Sequence, residues 1–371
     1  MRKATRVLLT GGGSGGHIQP NLALASALRQ LDPSIQLLYV GSRLPLDASL
    51  VIPAGIPFVP IFTGKLRRYF DWRNFTDPFL AVAGFFQSFW IMARFWPHVV
   101  FAKGGFVSLP VALAAFLLRR PIVLHESDSV MGLSNRIVAT LAKKVCVGFP
   151  EVMSDNPKTV FTGNPVRLSM RNGDPEQGFR LTGFHPGKPV LLVWGGSQGS
   201  EQINQLVAQE LPHLKSVFQI VHIAGAGKSN SGPSCGPDGG PNCGVEKNYI
   251  QFEYLGEELP HIYAITDFVV GRAGANSLYE LALVQKPSVL LPLKSAAHNH
   301  QALNADYFER MGASLVLKPG QPLSEVLIAL VHSPAQIQSM KKALAQLAKP
   351  EAAETIANII LGLRTQDSEH S

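Results

Sequence analysis

Short runs of apolar residues alternate with longer segments of helical periodicity along the first half of the chain. Between the runs, apolar side chains recur at helical spacing, as at Leu22, Leu24 and Leu28. Strands that alternate with helices predict a parallel sheet with helices on its faces. The runs themselves predict β-strands at Arg6–Thr10, Gln36–Val40, Pro57–Ile61, His98–Ala102 and Pro121–His125.

The same pattern restarts in the second half of the chain. Two βα halves that each open with a glycine-rich turn predict two Rossmann-like domains. We place their joint at the turn-forming segment Gly163–Pro165. The segment Ala335–Leu363 is predicted to be helical, with a break at Pro350. The strands of the second half are predicted at Pro189–Trp194, Gln219–Ala224, Ile250–Leu255, Asp267–Val270 and Ser288–Pro292.

Composition indicates a globular protein that prefers anionic partners. Of 371 residues, 46% are hydrophobic and 16% charged, and the net charge is +7. Nucleic acid, anionic lipid and phosphate-rich substrates all remain open from charge alone. Three cysteines form neither a disulfide framework nor a zinc pattern. The segment Gly225–Lys247 is rich in Gly, Ser, Pro and Asn, and we interpret it as a flexible surface insertion without a catalytic role.

The most apolar region runs from Pro78 to Trp96. Polar residues interrupt it, and a membrane-spanning helix needs about 20 clean apolar residues. We therefore expect a helix that lies on a surface and does not span a membrane, and the N-terminus carries no secretory signal pattern. Basic residues beside aromatic ones suit docking on anionic lipid, although an internal helix between sheets would give the same pattern. The basic residues that precede the region are Lys65, Arg67, Arg68 and Arg73.

The first glycine-rich turn, Thr10–His17, has the spacing G-x-G-x-x-G at Gly11, Gly13 and Gly16. A dinucleotide site also needs an acidic residue at the end of the second strand, and that strand ends in Tyr39–Ser42. A nicotinamide or flavin cofactor is therefore not expected. Free N–H groups at the helix start would attract phosphate or sugar oxygens, with the His17 imidazole facing the crevice. A tight turn without a ligand is the alternative.

Two further turns offer ligand-binding groups. Gly195–Ser200 presents N–H groups and the Ser197 hydroxyl, which suit a diphosphate. The third turn, Gly271–Ala275, leads into a helix in which Glu280 lies one turn from the start. A carboxylate there can accept hydrogen bonds from both hydroxyls of a ribose. A glutamate on the helix surface is the alternative.

Taken in order, these motifs resemble those of one known family. The resemblance covers Val7 to about Ala348, and it is to the UDP-N-acetylglucosamine:undecaprenyl-diphospho-muramoylpentapeptide N-acetylglucosaminyltransferases. The motifs that carry it are the first turn, His125-Glu126, Gly163–Arg167, Gly195–Gly199, Arg272–Glu280 and His300–Ala305.

The resemblance implies a glycosyltransferase B-type fold, in which two Rossmann-like domains face a cleft. Residues 1–163 would form the acceptor and membrane-facing domain, and residues 164–340 the donor domain. A C-terminal helix at about 341–371 would pack back onto the first domain. The implied reaction is inverting transfer of N-acetylglucosamine from UDP to the 4-hydroxyl of a lipid-linked muramyl-pentapeptide. The enzyme would be peripheral, on the cytoplasmic side of the bacterial inner membrane, with other cell-wall synthesis proteins as partners.

The resemblance also implies binding residues for UDP-N-acetylglucosamine. Glu280 would hold the ribose, Leu255 would lie by the uracil, and Gln301 would reach the sugar hydroxyls. Asp128 stands where the family pattern leads us to expect an amide, which adds a negative charge near an anionic substrate. The implied set is Ser14, Gly15, Gly16, Asp128, Arg167, Ser197, Leu255, Ala275, Asn276, Ser277, Leu278, Tyr279, Glu280 and Gln301.

Inversion requires removal of one proton and stabilisation of the leaving diphosphate. His17 is our first candidate for the base, and Glu126 is either its rival or the group that orients the imidazole. No D-x-D metal motif occurs, so we expect helix N-termini and Arg167, without a metal or cofactor, to stabilise the diphosphate. The alternatives are another B-type UDP-sugar transferase, a UDP-N-acetylglucosamine 2-epimerase, or a non-catalytic nucleotide binder. No RNA-binding signature occurs, so no nucleic-acid partner is expected.

Overall fold

The computed structural model describes residues 4–64, 73–196, 199–228, 234–235, 248–293 and 299–368. The strands of the described chain are β1 Arg6–Thr10, β2 Gln36–Ser42, β3 Phe58–Ile61, β4 Val99–Ala102, β5 Ile122–Glu126, β6 Lys144–Val147, β7 Thr159–Phe161, β8 Val190–Trp194, β9 Gln219–Ile223, β10 Ser234–Cys235, β11 Tyr249–Phe252, β12 Phe268–Gly271, β13 Ser288–Leu290 and β14 Ser314–Val316. Its helices are α1 Gly15–Leu31, α2 Pro45–Val51, α3 Arg73–Phe95, α4 Ser108–Leu117, α5 Leu133–Leu141, α6 Pro175–Thr182, α7 Glu201–Val217, α8 Leu259–Ile265, α9 Ala275–Val284, α10 His300–Arg310, α11 Leu323–Val331, α12 Pro334–Leu347 and α13 Ala352–Ser368.

The chain divides into two compact units. The first comprises Met1–Val166 and Lys349–Ser371, and the second comprises Arg167–Ala348. Helix α12 therefore belongs to the second unit and α13 to the first. The predicted break at Pro350 is confirmed, because α12 ends at Leu347 and α13 begins at Ala352. Proline lacks the amide hydrogen that would continue the helix.

The first unit is built on a seven-stranded parallel sheet of order β3-β2-β1-β4-β5-β6-β7. Apolar side chains from both faces of the strands are buried under helices, which is the reason the strands read as continuous apolar runs. The five strands predicted in this half are confirmed. The sequence pattern does not predict β6 and β7, because runs of four and three residues are too short to stand out.

Helix α13 packs against α1 on one face of this sheet. Its residues Ile356, Ala357 and Ile360 are fully buried in one core cluster with Leu24 and Leu28 of α1. Burying an aliphatic side chain of this size contributes about 1.5–3 kcal/mol. The last helix is thus part of the first unit's core.

The second unit repeats the architecture with a seven-stranded parallel sheet of order β10-β11-β9-β8-β12-β13-β14. Helices α7, α11 and α12 contribute to its main described core cluster. The five strands predicted in this half are confirmed, with slightly different ends. The additional strands β10 and β14 are edge strands of two and three residues, too short to leave a periodic signal.

Candidate active site

In the first unit, the sequence-predicted residues gather where the strand order reverses. The chain runs outward from β1 to β3 and then returns to place β4 on the other side of β1. Ligands of such sheets bind outside the carboxyl ends of the strands at this switch point. The turns after β1, β4 and β5 all open here, and they carry Ser14 to His17, Gly104 to Phe106, and Glu126 to Asp128.

A buried carboxylate fixes the first glycine-rich turn. Asp47, in α2, is fully buried and accepts hydrogen bonds from the Gly13 N–H at 3.0 Å and from the Ser42 N–H and hydroxyl at 2.8 Å each. A methyl group on Gly12 would lie 2.1 Å from an oxygen of Asp47. The glycines are therefore required by close packing. Sequence reasoning missed Asp47, because its partner lies 34 residues away.

His17 lies in the first turn of α1, and its side chain is half-buried. The main-chain N–H of His17 donates a hydrogen bond to the Ser14 carbonyl at 3.1 Å. A methyl group on Gly105 would lie 3.2 Å from His17 Cδ2 and 3.3 Å from Nε2. The imidazole thus lies directly against the turn after β4, at the switch point. Ser14 is half-buried beside it, Gly15 is buried and Gly16 is exposed.

Glu126 ends β5, and only 5% of it is exposed. Its Oε1 accepts the Asp128 N–H at 3.1 Å, and its Oε2 accepts the Gly132 N–H at 3.2 Å and the Asn135 side-chain amide at 2.8 Å. Burial raises the pKa of Glu126 and the Asp128 charge raises it further, while the Asp128 amide, the Lys103 charge and the Asn135 amide lower it. A carboxylate engaged in this way acts as a clamp on the turn between β5 and α5.

Lys103 directly follows β4 and is buried, with 1% of it exposed. Its ammonium donates a hydrogen bond to the Ser127 hydroxyl. Burial lowers the pKa of Lys103 to about 8, while the charges of Glu126 and Asp128 favour its protonated form. Asp128 itself is only half-buried. The sequence signal for Lys103 is a lysine placed directly between an apolar strand and a Gly-Gly turn.

Two of the sequence motifs meet beneath this turn. His125 Nε2 and the Gly163 carbonyl oxygen are 3.0 Å apart, and the Asn164 side-chain amide donates to the Ser127 carbonyl at 3.1 Å. Burial and the Lys103 charge hold the pKa of His125 well below its usual value. His125 and Asn164 are fully buried, so they support the turn and do not reach a ligand.

In the second unit, the predicted residues again gather at the switch point, which lies between β8 and β12. The turn after β8 leads into α7, whose N-terminus is capped by the Ser200 hydroxyl accepting the Ile203 N–H at 3.2 Å. The predicted diphosphate ligand Ser197 lies outside the described residues. The turn after β12 leads into α9, where Ala275 is buried and Asn276 and Ser277 are half-buried. The first N–H groups of α9 face outward from the helix start, as an anion site needs.

Glu280 lies buried in α9 beside Arg167. Their Oε1 and Nη2 atoms are 3.7 Å apart, and 6% of Glu280 is exposed. Burial raises the pKa of Glu280, while the Arg167 charge and hydrogen bond lower it. The structure thus brings these two predicted residues together.

A buried hydroxyl missed by sequence reasoning lies near this pair. Tyr263 of α8 is 1% exposed, and its hydroxyl has no hydrogen-bond partner among the described residues. Burial raises the pKa of Tyr263 well above its usual value, and the Glu280 charge raises it further. A buried hydroxyl without a hydrogen-bond partner costs about 1–3 kcal/mol of folding free energy. The Tyr263 hydroxyl is therefore an energetically unfavourable group near Glu280, the candidate ribose-binding residue.

The remaining predicted residues divide into backbone and side-chain positions. Leu278 and Tyr279 are core residues, the latter packed edge-on against Phe308, so only their main chains are available to a ligand. Leu255 is also buried, with 8% exposed. The half-buried Gln301 accepts the Leu293 N–H at 3.0 Å, which ties α10 to the segment after β13.

Within the described part of the chain, no group of three or more His, Cys, Asp or Glu side chains is arranged to hold a metal ion. The charged side chains at the second-unit site include Arg167, Glu280 and the half-buried Arg272, which lies in the turn after β12.

Comparisons with known proteins find matches for both units of the chain. Residues 7–147 match the glycosyltransferase family 28 N-terminal domain, and residues 190–356 match its C-terminal domain. The UDP-N-acetylglucosamine–N-acetylmuramyl-(pentapeptide) pyrophosphoryl-undecaprenol N-acetylglucosamine transferase of Clostridium botulinum is 44% identical over 316 residues, which cover 84% of this chain and 86% of that protein.

Two solved structures show how widely the fold is shared. The crystal structure of Acinetobacter baumannii MurG aligns with a TM-score of 0.71 and 24% identity, over 96% of this chain and 99% of that one. The UDP-GlcNAc 2-epimerase of Neisseria meningitidis, solved with UDP-GlcNAc bound, aligns with a TM-score of 0.64 and 13% identity, over 98% and 100%. The predicted class of two Rossmann-like domains of the glycosyltransferase B type is confirmed. Together with the sequence match, these results confirm the resemblance drawn from the motifs: the chain belongs to the UDP-N-acetylglucosamine–N-acetylmuramyl-(pentapeptide) pyrophosphoryl-undecaprenol N-acetylglucosamine transferase family.

Proposed function

We infer that the chain transfers N-acetylglucosamine from UDP-N-acetylglucosamine to undecaprenyl-diphospho-N-acetylmuramyl-pentapeptide, the lipid-linked precursor of peptidoglycan. Family membership at 44% identity over 84% of the chain is the observation that carries this inference. We further propose that the transfer is inverting, with the 4-hydroxyl of the muramyl sugar as the nucleophile.

We propose that the second unit binds the donor nucleotide. The buried Glu280 carboxylate can accept hydrogen bonds from the two ribose hydroxyls. The N–H groups at the start of α9 can donate hydrogen bonds to anionic oxygens. Arg167, 29% exposed at its side chain, keeps a cation at the same place for the diphosphate. Leu255, Gln301 and Ser197 complete the proposed donor set.

We propose that His17 is the general base. It is half-buried at the switch point of the first unit and lies against Gly105, so its ring is held in place yet remains partly accessible. Glu126 is a less suitable base, because both of its oxygens already accept hydrogen bonds from the turn that it clamps. We assign it a positioning role. Ser14, Gly15 and Gly16 would contact the donor through main-chain groups.

A reaction with and without acceptor separates this function from that of an epimerase with the same fold. The protein is incubated with UDP-N-acetylglucosamine, and UDP release and sugar identity are followed. The transferase releases UDP only when the lipid-linked acceptor is present and leaves the donor's configuration unchanged otherwise. Formation of UDP-N-acetylmannosamine without acceptor would instead support the epimerase, which has the same fold at 13% identity.

We also propose that the first unit docks on an anionic membrane surface. Exposed apolar side chains recur along one face of α3 at Phe79, Val82, Phe86 and Trp90. Neighbouring helices α4 and α5 add to this patch. The exposed fractions of 78% for Phe79 and 73% for Trp90 leave large aromatic surfaces uncovered. The residues added by α4 and α5 are Leu113, Phe116, Leu117, Leu133 and Ile137.

Exposed basic residues on these helices, or next to them in sequence, suit anionic headgroups. Arg94, Arg119, Arg136 and Lys143 are exposed on the same helices or next to them. Of the basic residues expected from sequence to contribute, Lys65, Arg67 and Arg68 lie outside the described residues, and Arg73 begins α3. The lipid-linked acceptor gives such a patch a purpose.

Helix α3 raises the separate question of membrane spanning. Among the described residues, its segment Asp77–Phe95 is long and apolar enough to cross a membrane by length and composition, with 17% of it buried. However, Met92 and Ser88 are buried against the first unit, and Phe85 and Phe89 pack partly on the sheet core. A helix with one face on its own sheet supports a surface position. We therefore propose a peripheral location on the cytoplasmic side of the inner membrane, where other cell-wall synthesis proteins would be partners.

A further inference from the structure

The Lys103 ammonium is a buried cation to which the function proposed above gives no role. It directly follows β4, is 1% exposed, and donates to the Ser127 hydroxyl at the start of the turn between β5 and α5. Burying an unpaired ammonium is costly, so a lysine persists in such a place when carboxylates balance it. Sequence neighbours cannot do this, because glycines follow it on the chain.

Two carboxylates supply the balance, Glu126 at the end of the adjacent strand β5 and Asp128 in the turn after it, on either side of the Ser127 that accepts the Lys103 ammonium. The charges of Glu126 and Asp128 both act on Lys103, and Lys103 in turn acts on Glu126. The cluster therefore contains one positive and two negative groups in a mostly buried place. The other titratable groups nearby are His125, fully buried next to Glu126, and His17, whose ring lies against Gly105.

The protonation state of Glu126 decides the shape of the turn. Its two oxygens accept three N–H groups, from Asp128, Gly132 and Asn135. A protonated carboxyl would turn one of these acceptors into an O–H donor that faces N–H groups. The turn from Ser127 to Gly132 would then lose part of its support, and Asp128 and the segment beside His17 would shift.

We propose that Lys103 is a positioning residue whose buried ammonium balances Glu126 and Asp128, so that Glu126 stays ionised and holds the turn between β5 and α5 in shape for the sugar substrates. The role of the turn in catalysis rests on the proposed function; the charge coupling among the three residues does not. In this account Asp128 and Lys103 depend on each other. Removing Lys103 leaves two carboxylates to repel one another, and removing the Asp128 charge relieves that repulsion.

The test compares pH profiles of kcat/KM for Lys103→Met, Asp128→Asn and the double variant with wild type. An opposite charge at close range shifts a carboxyl pKa by about 1–3 units. The acidic limb reflects both the base, proposed to be His17, and Glu126, which must be ionised to hold the turn. Because loss of the Lys103 charge raises the pKa of Glu126, we expect the acidic limb of Lys103→Met to move up by as much as about one pH unit. In the double variant the limb returns towards its wild-type position. Lys158→Met, which removes an exposed lysine from the same unit, is the control and should leave the limb in place.

Two results would overturn the proposal: an unmoved acidic limb in Lys103→Met, or a shifted limb that Asp128→Asn does not bring back. A merely structural role would lower the rate without moving the limb. Thermal unfolding measured below pH 8, where the wild-type Lys103 ammonium is mostly protonated, gives a second reading that needs no activity. Lys103→Met should lose stability relative to wild type as pH rises, because its folded state holds a proton on Glu126 that the unfolded chain releases.

The same measurements distinguish a failure of the variants to fold from a failure of the proposed function. If Lys103→Met alone does not fold, a folded double variant still supports the coupling, whereas failure of both variants to fold overturns it. If the wild type transfers no sugar, the proposed function fails, and the unfolding cycle alone decides the charge coupling.

Discussion

Replacing Glu280 by Gln isolates one carboxylate charge from the rest of the donor site. The side chain keeps its size in α9, and one amide oxygen can still accept a hydrogen bond. Because Glu280 is 6% exposed and burial raises its pKa, the wild-type fold bears a desolvation cost that Gln removes. The Arg167 partner at 3.7 Å is partly exposed and offsets little of that cost. We expect Glu280→Gln to fold with stability close to that of wild type.

UDP affinity should respond very differently from stability. A hydrogen bond to a charged group contributes about 1.5–3 kcal/mol, and the substitution removes one ribose acceptor together with the charge. The dissociation constant for UDP should therefore rise roughly 10- to 150-fold. Isothermal titration calorimetry measures this directly. Glu325→Gln, an exposed glutamate in α11, is the matched control and should bind UDP as wild type does.

A ligand without ribose hydroxyls completes the cycle. With 2′,3′-dideoxy-UDP, wild type and Glu280→Gln should bind almost equally, because the groups that contact the carboxylate are gone. The pH dependence adds a second check: the raised pKa means that Glu280 takes up a proton at a higher pH than an ordinary glutamate, so the wild-type advantage for UDP should shrink as pH falls. Equal UDP affinity for both proteins, or the same loss with the dideoxy ligand, would refute the ribose assignment.

Three other outcomes follow from the same account. His17→Ala should lower kcat by about 100- to 10,000-fold with a much smaller change in donor affinity, and an unchanged kcat would remove it as the base. Trp90→Ser should weaken binding to phosphatidylglycerol vesicles by roughly 10- to 150-fold, since burying such a side chain contributes about 1.5–3 kcal/mol, while Met311→Ser in the second unit should not. Equal co-sedimentation of Trp90→Ser and wild type would rule out the α3 patch as the docking surface. Transfer should continue in excess EDTA, because the proposed leaving-group stabilisation uses Arg167 and N–H groups; activity that is lost and then restored by Mg²⁺ would contradict this.

The sequence carries most of the fold because each buried strand is a continuous apolar run. Five strands in each half, the restart of the pattern and the break at Pro350 are all found in the structure. What it does not carry are β6 and the edge strands β7, β10 and β14, which have four residues or fewer, so that no periodicity can develop in them. The interpretation of Glu280 as a buried ligand also needed the structure, because a surface glutamate on α9 would give the same sequence pattern.

The candidate site was predictable where it depends on glycine turns and less so where it depends on long-range packing. Gly13 and Glu126 stand in recognisable motifs, but the residues that hold them do not. Asp47 reaches Gly13 from α2, and Lys103 reaches Ser127 across neighbouring strands. Such contacts arise only when parallel strands bring distant segments to one edge. Burial of a charged side chain, which marks Lys103 and Glu280, is likewise a property of the fold.

Sugar transfer to a lipid-linked muramyl acceptor is measured most simply by locating the sugar after the reaction. The protein is given UDP-N-acetylglucosamine labelled in the sugar and the undecaprenyl-diphospho-muramyl-pentapeptide, and the lipid product is isolated and its new linkage determined. The account predicts label in the lipid fraction through a β-1,4 bond, in amounts equal to the UDP released. Label that stays in the nucleotide fraction, or reaches the lipid through an α bond, would contradict it.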